Sequence, residues 1–298
     1  MEVETGVPLS RLTTIGTGGP AAGFARPESL AELEESLRWA VERGLPVVAV
    51  GLGSNLLAAD SGVDGLVVRL AGDLAAVEID GDLVRAGGGA TNAVCLHRAR
   101  SAGLGGLEFA CAIPGTAGGG VRMNAGAYGS DWAAILERAL VVSADGSGWL
   151  TPAELGLSYR HSDLGPNRVV ARVEYRLSPR PVAEIKREVA ELVARRKATQ
   201  PTNKRTFGSV FKNPPGELGA GRMLEACGLK GYRIGGAVIS PRHANFIENT
   251  GGATSADCVN LMAEARRRAR EEHGVELEHE VVLLGFHESG GGDAARVE

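Results

Sequence analysis

Apolar positions recur at helical spacing in three long stretches of the chain. In "PESLAELEESLRWAVERG" (27–44), Leu30, Leu33, Leu37 and Val41 share one stripe. Ser29 and Glu32 stand at capping-box spacing and Gly44 offers a stop, so a capped helix is predicted there. "PVAEIKREVAELVARRKATQP" repeats the period with Val182, Ile185, Val189, Leu192 and Val193. A third helix is predicted over 254–273, opened by Thr254 and closed before Gly274, and a shorter one near 91–102. Between them the pattern turns to short strands. "PVVAV" precedes a glycine loop, "AAVEIDGDLVRAGGG" reads as a hairpin around Asp80-Gly81, and "RALVVSADGSGWL" carries a second turn at Asp145-Gly146. Further strands are predicted in "RVVARVEYRL", "GSVFKNP", "GAVIS", "NFIEN" and "VELEHEVVLLGF", and "HESGGGDAARVE" is expected to be a disordered tail. The order gives an α+β fold. A composition shift at "SPRP" (178–181) separates a strand-rich middle from an α/β C-terminal part.

Composition narrows the function classes. The chain has 298 residues, of which 44% are hydrophobic and 23% charged, the make-up of an ordinary soluble protein of about two domains or three small ones. No apolar run approaches the ~18 residues of a membrane span, and "MEVETGVPLS" lacks the regions of a signal peptide, so a cytoplasmic location without membrane insertion is expected. A net charge of -4 argues against nucleic acid as a partner. Cys95, Cys111, Cys227 and Cys258 form no C-x-x-C pair and the six histidines form no ligand-like cluster in sequence, so no metal is expected. The outlier is glycine, 43 residues, clustered and without period. Such clusters bring backbone close to something.

Three stretches could carry chemistry. Gly51-Leu52-Gly53-Ser54-Asn55-Leu56 follows a strand and exposes backbone N–H groups to an anion, although Leu56 breaks the dinucleotide fingerprint and an ordinary turn is an equal reading. "PGTAGGGVRMNAGAYG" (114–129) holds more glycine than a plain loop needs and suits a flat or anionic ligand against the main chain. The third group combines "FGSVFKNP" (207–214), "LSYRHS" (157–162) and "ELEHEV" (276–281). Here Arg160 could pair with a carboxylate, Glu280 stands at the mouth of a buried strand, and Lys212 and Asn213 read equally as loop anchors or ligands. Ser209 has no His/Asp partner to make it a nucleophile.

In order along the chain, "TTIGTGGPA", "VVAVGLGSNLL", "PGTAGGGVRMNAGAYG", "LSYRHS", "ARRKATQP", "FGSVFKNP", "ISPRHANFIEN" and "ELEHEV" resemble the UDP-N-acetylenolpyruvoylglucosamine reductases, over about residues 12 to 286. The resemblance implies an FAD-binding fold of the vanillyl-alcohol-oxidase kind plus a C-terminal α/β substrate domain. It divides the chain into 1–70, completed by a returning strand from 275–298, then 71–178, then 179–274. It implies tightly bound, non-covalent FAD, with NADPH and UDP-N-acetylglucosamine enolpyruvate as small-molecule substrates and UDP-N-acetylmuramate as product. In that chemistry hydride passes through flavin N5. Matching motif to motif, Ser209 takes the place of the proton donor, with Arg160 and Glu280 beside it. Cofactor contacts fall on the backbone of Gly51, Gly53, Ser54, Asn55, Leu56, Gly115, Thr116, Gly119 and Asn124, and substrate contacts on Tyr159, Arg196, Lys212 and Asn213. No tyrosine lies between Arg176 and Lys197, so the chain resembles the class without a tyrosine-bearing clamp loop, and Arg122 and Phe207 depart from the expected residue types. An FAD oxidase on the same fold and an inactive nucleotide-binding protein are the competing readings.

Overall fold

The computed structural model describes residues 2–286, and the expected C-terminal tail lies outside them. Helix α1 runs Leu30–Val41. Ser29 accepts from the Glu32 N–H at 3.3 Å, while the Glu32 carboxylate turns back to the N–H of Glu28, one residue before the expected box partner. Leu33, Leu37 and Ala40 bury against the first sheet, but Val41 is 60% exposed, because the next residue round the helix from Ala40 points away from that face. That sheet places strand Pro20–Ala25 parallel to Val63–Val68, which is parallel to Val47–Ala49, with short antiparallel pieces at Val3–Glu4 and Val7–Pro8 on the other side. Loops leaving the carboxyl ends of such parallel strands are the usual ligand edge of an α/β layer. Residues 50–55 form one of these loops.

The second sheet is antiparallel throughout, in the order Gly146–Leu150, Leu136–Ser143, Val169–Arg176, Leu83–Gly87, Val77–Asp80. Its first hairpin turns on Gly81-Asp82, one residue later than the sequence suggested, with Gly81 at φ +60°. Its core is centred on Trp132, whose indole N–H donates to the Tyr175 hydroxyl at 2.8 Å and whose ring meets Phe109 edge-on at 5.0 Å. Helix α2 (Asn92–Ser101) and the short α3 (Ala117–Arg122) cover this sheet, and α4 (Val182–Thr199) packs on the 3-10 segment Glu108–Ala112. Within α4 only Ile185 is fully buried. The helix rides outside the core, so its apolar stripe is half-used.

In the C-terminal part, Arg233–Ile234, Ala237–Ile239 and Ile247–Asn249 form a three-stranded antiparallel sheet backed by α5 (Ala220–Ala226) and α6 (Ser255–His273). Helix α6 has a full capping box, Thr254 with Asp257, and ends on Gly274 in the left-handed region. The carboxylate of Asp60 adds a second cap from another part of the chain, accepting from the N–H groups of Ser255 and Ala256 at 2.9 and 3.1 Å. "GSVFKNP" is no regular strand. It makes isolated pairs only, Ser209 with Phe246 and Phe211 with His279. The last strand, Val282–Leu284, leaves the C-terminal part and pairs in parallel with Leu56–Ala58.

Candidate active site

Two glycine-bearing loops face each other. Residues 50–55 turn sharply at Gly53, whose φ is +66° and whose missing side chain would run into the Leu12 carbonyl. Thr14 fixes the turn by donating its N–H to the Gly53 carbonyl at 3.1 Å, while its hydroxyl donates to the Thr206 carbonyl at 2.6 Å. The Ser54 hydroxyl donates to the Pro114 carbonyl, and a side chain on Gly51 would lie 2.6 Å from Thr116 Oγ1, so the loops touch along their length. Among the described residues, the N–H groups of Gly51, Leu52, Gly53, Ser54, Asn55, Gly115 and Thr116 donate to no acceptor. A run of unused donors in a partly enclosed loop pair is a ready anion cradle.

The glycines of 115–120 divide into two kinds. Side chains at Gly118 and Gly120 would press on the Val170 carbonyl at 2.8 Å and Trp132 at 2.5 Å, so these positions let α3 lie close on the second sheet. Gly119 would meet only Thr116 Oγ1 at 3.4 Å, and Gly115 only the Asn92 amide at 3.3 Å and Ser54 Oγ at 3.9 Å. Part of the glycine richness is therefore packing, and Gly115 and Gly119 are the open ones. Beyond them lies a cavity of about 510 Å³ between the two sheets, lined by Gly51, Leu70, Gly88, Thr116, Gly119 and Arg122 among others. That is within the ~300–1,000 Å³ typical of ligand clefts.

The other end of the loop reaches a charged cluster. Asn55 donates to the Glu280 carbonyl at 3.2 Å and accepts the Val282 N–H at 3.0 Å. Glu280 in turn donates its N–H to the Val210 carbonyl at 2.7 Å, which places Ser209 one residue from the carboxylate's backbone. Arg160 meets Glu280 Oε1 through Nε at 2.9 Å and gives Nη2 to the Gly126 carbonyl at 2.6 Å. Both side chains of the pair are less than a fifth exposed. Arg160 takes φ +55° at the tip of a tight turn closed by Ser158 and His161. A non-glycine residue in this region costs on the order of 1–3 kcal/mol, a strain that collects at functional sites. Burial pushes the Glu280 carboxyl up from its ordinary value, while Arg160 and then Lys212 pull it back. The Ser209 hydroxyl is half-buried and has no hydrogen-bond partner among the described residues. Gly208, at φ +82°, sits 3.2 Å from the Ser54 carbonyl by its absent side chain, so the Ser209 segment adjoins the glycine loop.

Comparison with known proteins settles the lineage. Residues 21–149 match the FAD binding domain family, and residues 200–284 match the UDP-N-acetylenolpyruvoylglucosamine reductase C-terminal domain family. A UDP-N-acetylenolpyruvoylglucosamine reductase of Symbiobacterium thermophilum is 46% identical over 282 residues, 94% of this chain and 91% of its own length. That of Anaeromyxobacter dehalogenans is 46% identical over 278 residues, covering 93% and 84%. The crystal structure of the Thermus caldophilus reductase superposes with a TM-score of 0.84 at 39% identity, covering 95% of this chain and 99% of that one. The chain belongs to the UDP-N-acetylenolpyruvoylglucosamine reductase family. It is an FAD-dependent oxidoreductase with the α+β, flavin-binding fold that the motifs implied. No helix among the described residues is long and apolar enough to cross a membrane.

The residues present fit the reductase family's FAD: a row of unused N–H groups, open glycines and a cavity accept an anionic, flat cofactor. Of the expected contacts, Gly51, Thr116 and Gly119 line the cavity, and Ser54, Asn55, Leu56 and Gly115 continue toward Glu280. The buried side-chain amide of Asn124 donates to Asp131 and to the Ser158 carbonyl and accepts from Ala133, so it anchors the loop beneath Arg160. Lys212 reaches Glu278 at 3.3 Å, and the Asn213 N–H donates to the Tyr159 hydroxyl at 3.4 Å, joining the middle and C-terminal parts. Asn213 Oδ1 also accepts the Ala220 N–H, so this residue anchors the start of α5. Arg196 lies apart from Glu280, on α4 near Tyr128 and Cys111.

Two features escaped sequence reasoning. Asn245 is buried, and its amide holds both the N–H and the carbonyl of Phe211, at 2.9 and 2.8 Å. Its only sequence signal was membership of "ISPRHANFIEN". His273, isolated in sequence, meets Cys227 and Glu272 with ligand-type atoms within 4.8 Å of one another. Burial and the neighbouring Glu272 carboxylate push the Cys227 thiol up from its ordinary value.

Proposed function

We propose that this chain reduces UDP-N-acetylglucosamine enolpyruvate to UDP-N-acetylmuramate, with NADPH as reductant, in cytoplasmic peptidoglycan precursor synthesis. The observation that carries the reading is the junction of Ser209, Arg160, Glu280 and Lys212 at the end of the FAD-cradling loops. The proposed division is 1–70 with the returning strand, 71–178, and 179–274. Bound FAD supplies the hydride relay from NADPH to the substrate.

The chain's own residues account for what remains. Hydride arrival at the outer alkene carbon leaves negative charge on its neighbour, delocalised into the substrate carboxylate. Arg160 and Lys212 are preorganised cations for that charge, fixed by Gly126, Glu280 and Glu278, so little reorganisation is needed as it develops. The Ser209 hydroxyl, free of protein partners, gives its proton to the carbon and is reprotonated from solvent. Serine is a weak acid, but a carbanion is a far stronger base than serine alkoxide. Tyr159 and Asn213, on opposite parts of the chain and in contact, are positioned to hold the sugar nucleotide, with Arg196 as a more remote cation for its diphosphate.

Ser209→Ala separates the two half-reactions. In stopped-flow, bleaching of the flavin band near ~450 nm by NADPH is expected to stay within about twofold of wild type. Reoxidation by the enolpyruvyl substrate is expected to fall by roughly 10²–10⁴, the usual worth of a positioned proton donor. Equal losses in both phases would make Ser209 structural and refute its role.

A further inference from the structure

Arg122 ends α3 and faces the cavity between the two sheets. Its guanidinium is half-buried, and its one hydrogen bond runs from Nη1 to the Arg168 carbonyl at 3.3 Å, with no carboxylate in reach among the described residues. Burial alone pushes it down from its ordinary value. Three more arginines, Arg26, Arg69 and Arg168, line the same cavity and make no ion pair with a described residue, while Glu4 is the sole carboxylate in the lining. A partly desolvated, unpaired cation is unfavourable unless an anion arrives to neutralise it. Gly51 and Thr116, the N-cap of α3, line the same cavity, and their N–H groups are unused. Cation and free amides thus line one cavity. The main chain of Arg122 is held independently: its carbonyl accepts the Ser162 hydroxyl at 2.6 Å, in the same loop as Arg160. The side chain is free to serve a ligand without carrying the local fold.

We propose that Arg122 is the counter-cation for the diphosphate of bound FAD, so that this cavity takes the adenosine-diphosphate half of the cofactor. The inference rests on the FAD reading above. It also accounts for an arginine where the motif called for a smaller residue. The remaining arginines add positive potential that raises the local concentration of the anion. A guanidinium suits this task because its fork of donors matches phosphate oxygens.

The test begins with flavin-loaded protein as purified. On dilution, release of FAD is followed by the rise of free-flavin fluorescence, for wild type, Arg122→Met and Arg122→Lys. Losing a charge-assisted hydrogen bond of this kind weakens retention by about 10- to 100-fold, so Arg122→Met is expected to release FAD with a correspondingly higher dissociation constant, with Arg122→Lys between. Wild-type retention is also expected to weaken between about 50 and about 300 mM NaCl, and that of Arg122→Met to respond less. ADP, carrying the diphosphate without the flavin, is expected to displace FAD from wild type at lower concentration than from Arg122→Met. Unchanged retention and unchanged ADP displacement in a folded Arg122→Met would overturn the proposal. Should that variant fail to fold, a wild type whose FAD retention ignores salt overturns it as well. A wild type that binds no FAD at all refutes the cofactor reading itself, a separate outcome.

Discussion

Asn245→Ala is the most informative perturbation of the fold around Ser209. The Asn245 amide satisfies both polar groups of Phe211 in a buried setting, at 2.9 Å to the N–H and 2.8 Å to the carbonyl, and the Asn245 carbonyl takes the Val210 N–H at 2.9 Å. Truncation leaves two buried backbone groups without partners. Each such group costs about 1–3 kcal/mol, so the sum is about 4 kcal/mol at mid-range. For a chain of this size ~1 kcal/mol moves Tm by roughly 2–4 °C, which gives a fall of roughly 8–16 °C by calorimetry. The same loss frees the segment that carries Ser209, so substrate-driven flavin reoxidation is expected to slow while reduction by NADPH is retained. A Tm within about 2 °C of wild type, with both half-reactions intact, would show that the Phe211 backbone finds other partners and that Asn245 does not position Ser209.

Two further outcomes follow from the site. Gly120→Ala forces a methyl to 2.5 Å from Trp132 and is expected to cost about 1–3 kcal/mol by overpacking. Gly119→Ala, with only Thr116 Oγ1 at 3.4 Å, is expected to leave Tm nearly unchanged and to weaken FAD retention; equal Tm losses in the two variants would refute the distinction. The Glu280 carboxyl is raised from about 4.5 in the folded chain, so the native state binds its proton to higher pH than the unfolded chain does. Its contribution is full below the unfolded value and is lost as pH rises through the folded one. The stability of wild type relative to Glu280→Gln is therefore expected to fall as pH climbs from about 4.5, read as Tm across the range; a pH-independent difference would show that the carboxyl is not raised.

What the sequence could say depended on how local each determinant was. Thr254, Asp257 and Gly274 bound α6 because caps act within a turn of their own residue. The hairpins were legible for the same reason, to within a residue. By contrast, "GSVFKNP" alternates like a strand but has no long edge to pair with; its conformation is set by Asn245, Phe246 and His279, which are distant in sequence. The meeting of Arg160 with Glu280 spans 120 residues and could be suggested only by family resemblance. The role of the Asn124 side chain was hidden for a related reason: the partners of its amide, Asp131, Ala133 and Ser158, are set by tertiary packing.

The two kinds of glycine in 115–120 should also age differently over evolutionary time. A descendant that gave up flavin would be released from constraint at Gly115 and Gly119, where added side chains meet only the ends of the Asn92, Ser54 and Thr116 side chains, none closer than 3.3 Å. Gly118 and Gly120 would stay fixed in that same descendant, because Val170 and Trp132 still occupy the room. Substitution confined to the first pair would mark a lineage that kept this architecture after abandoning its chemistry, and glycine at all four would mark one still carrying the cofactor.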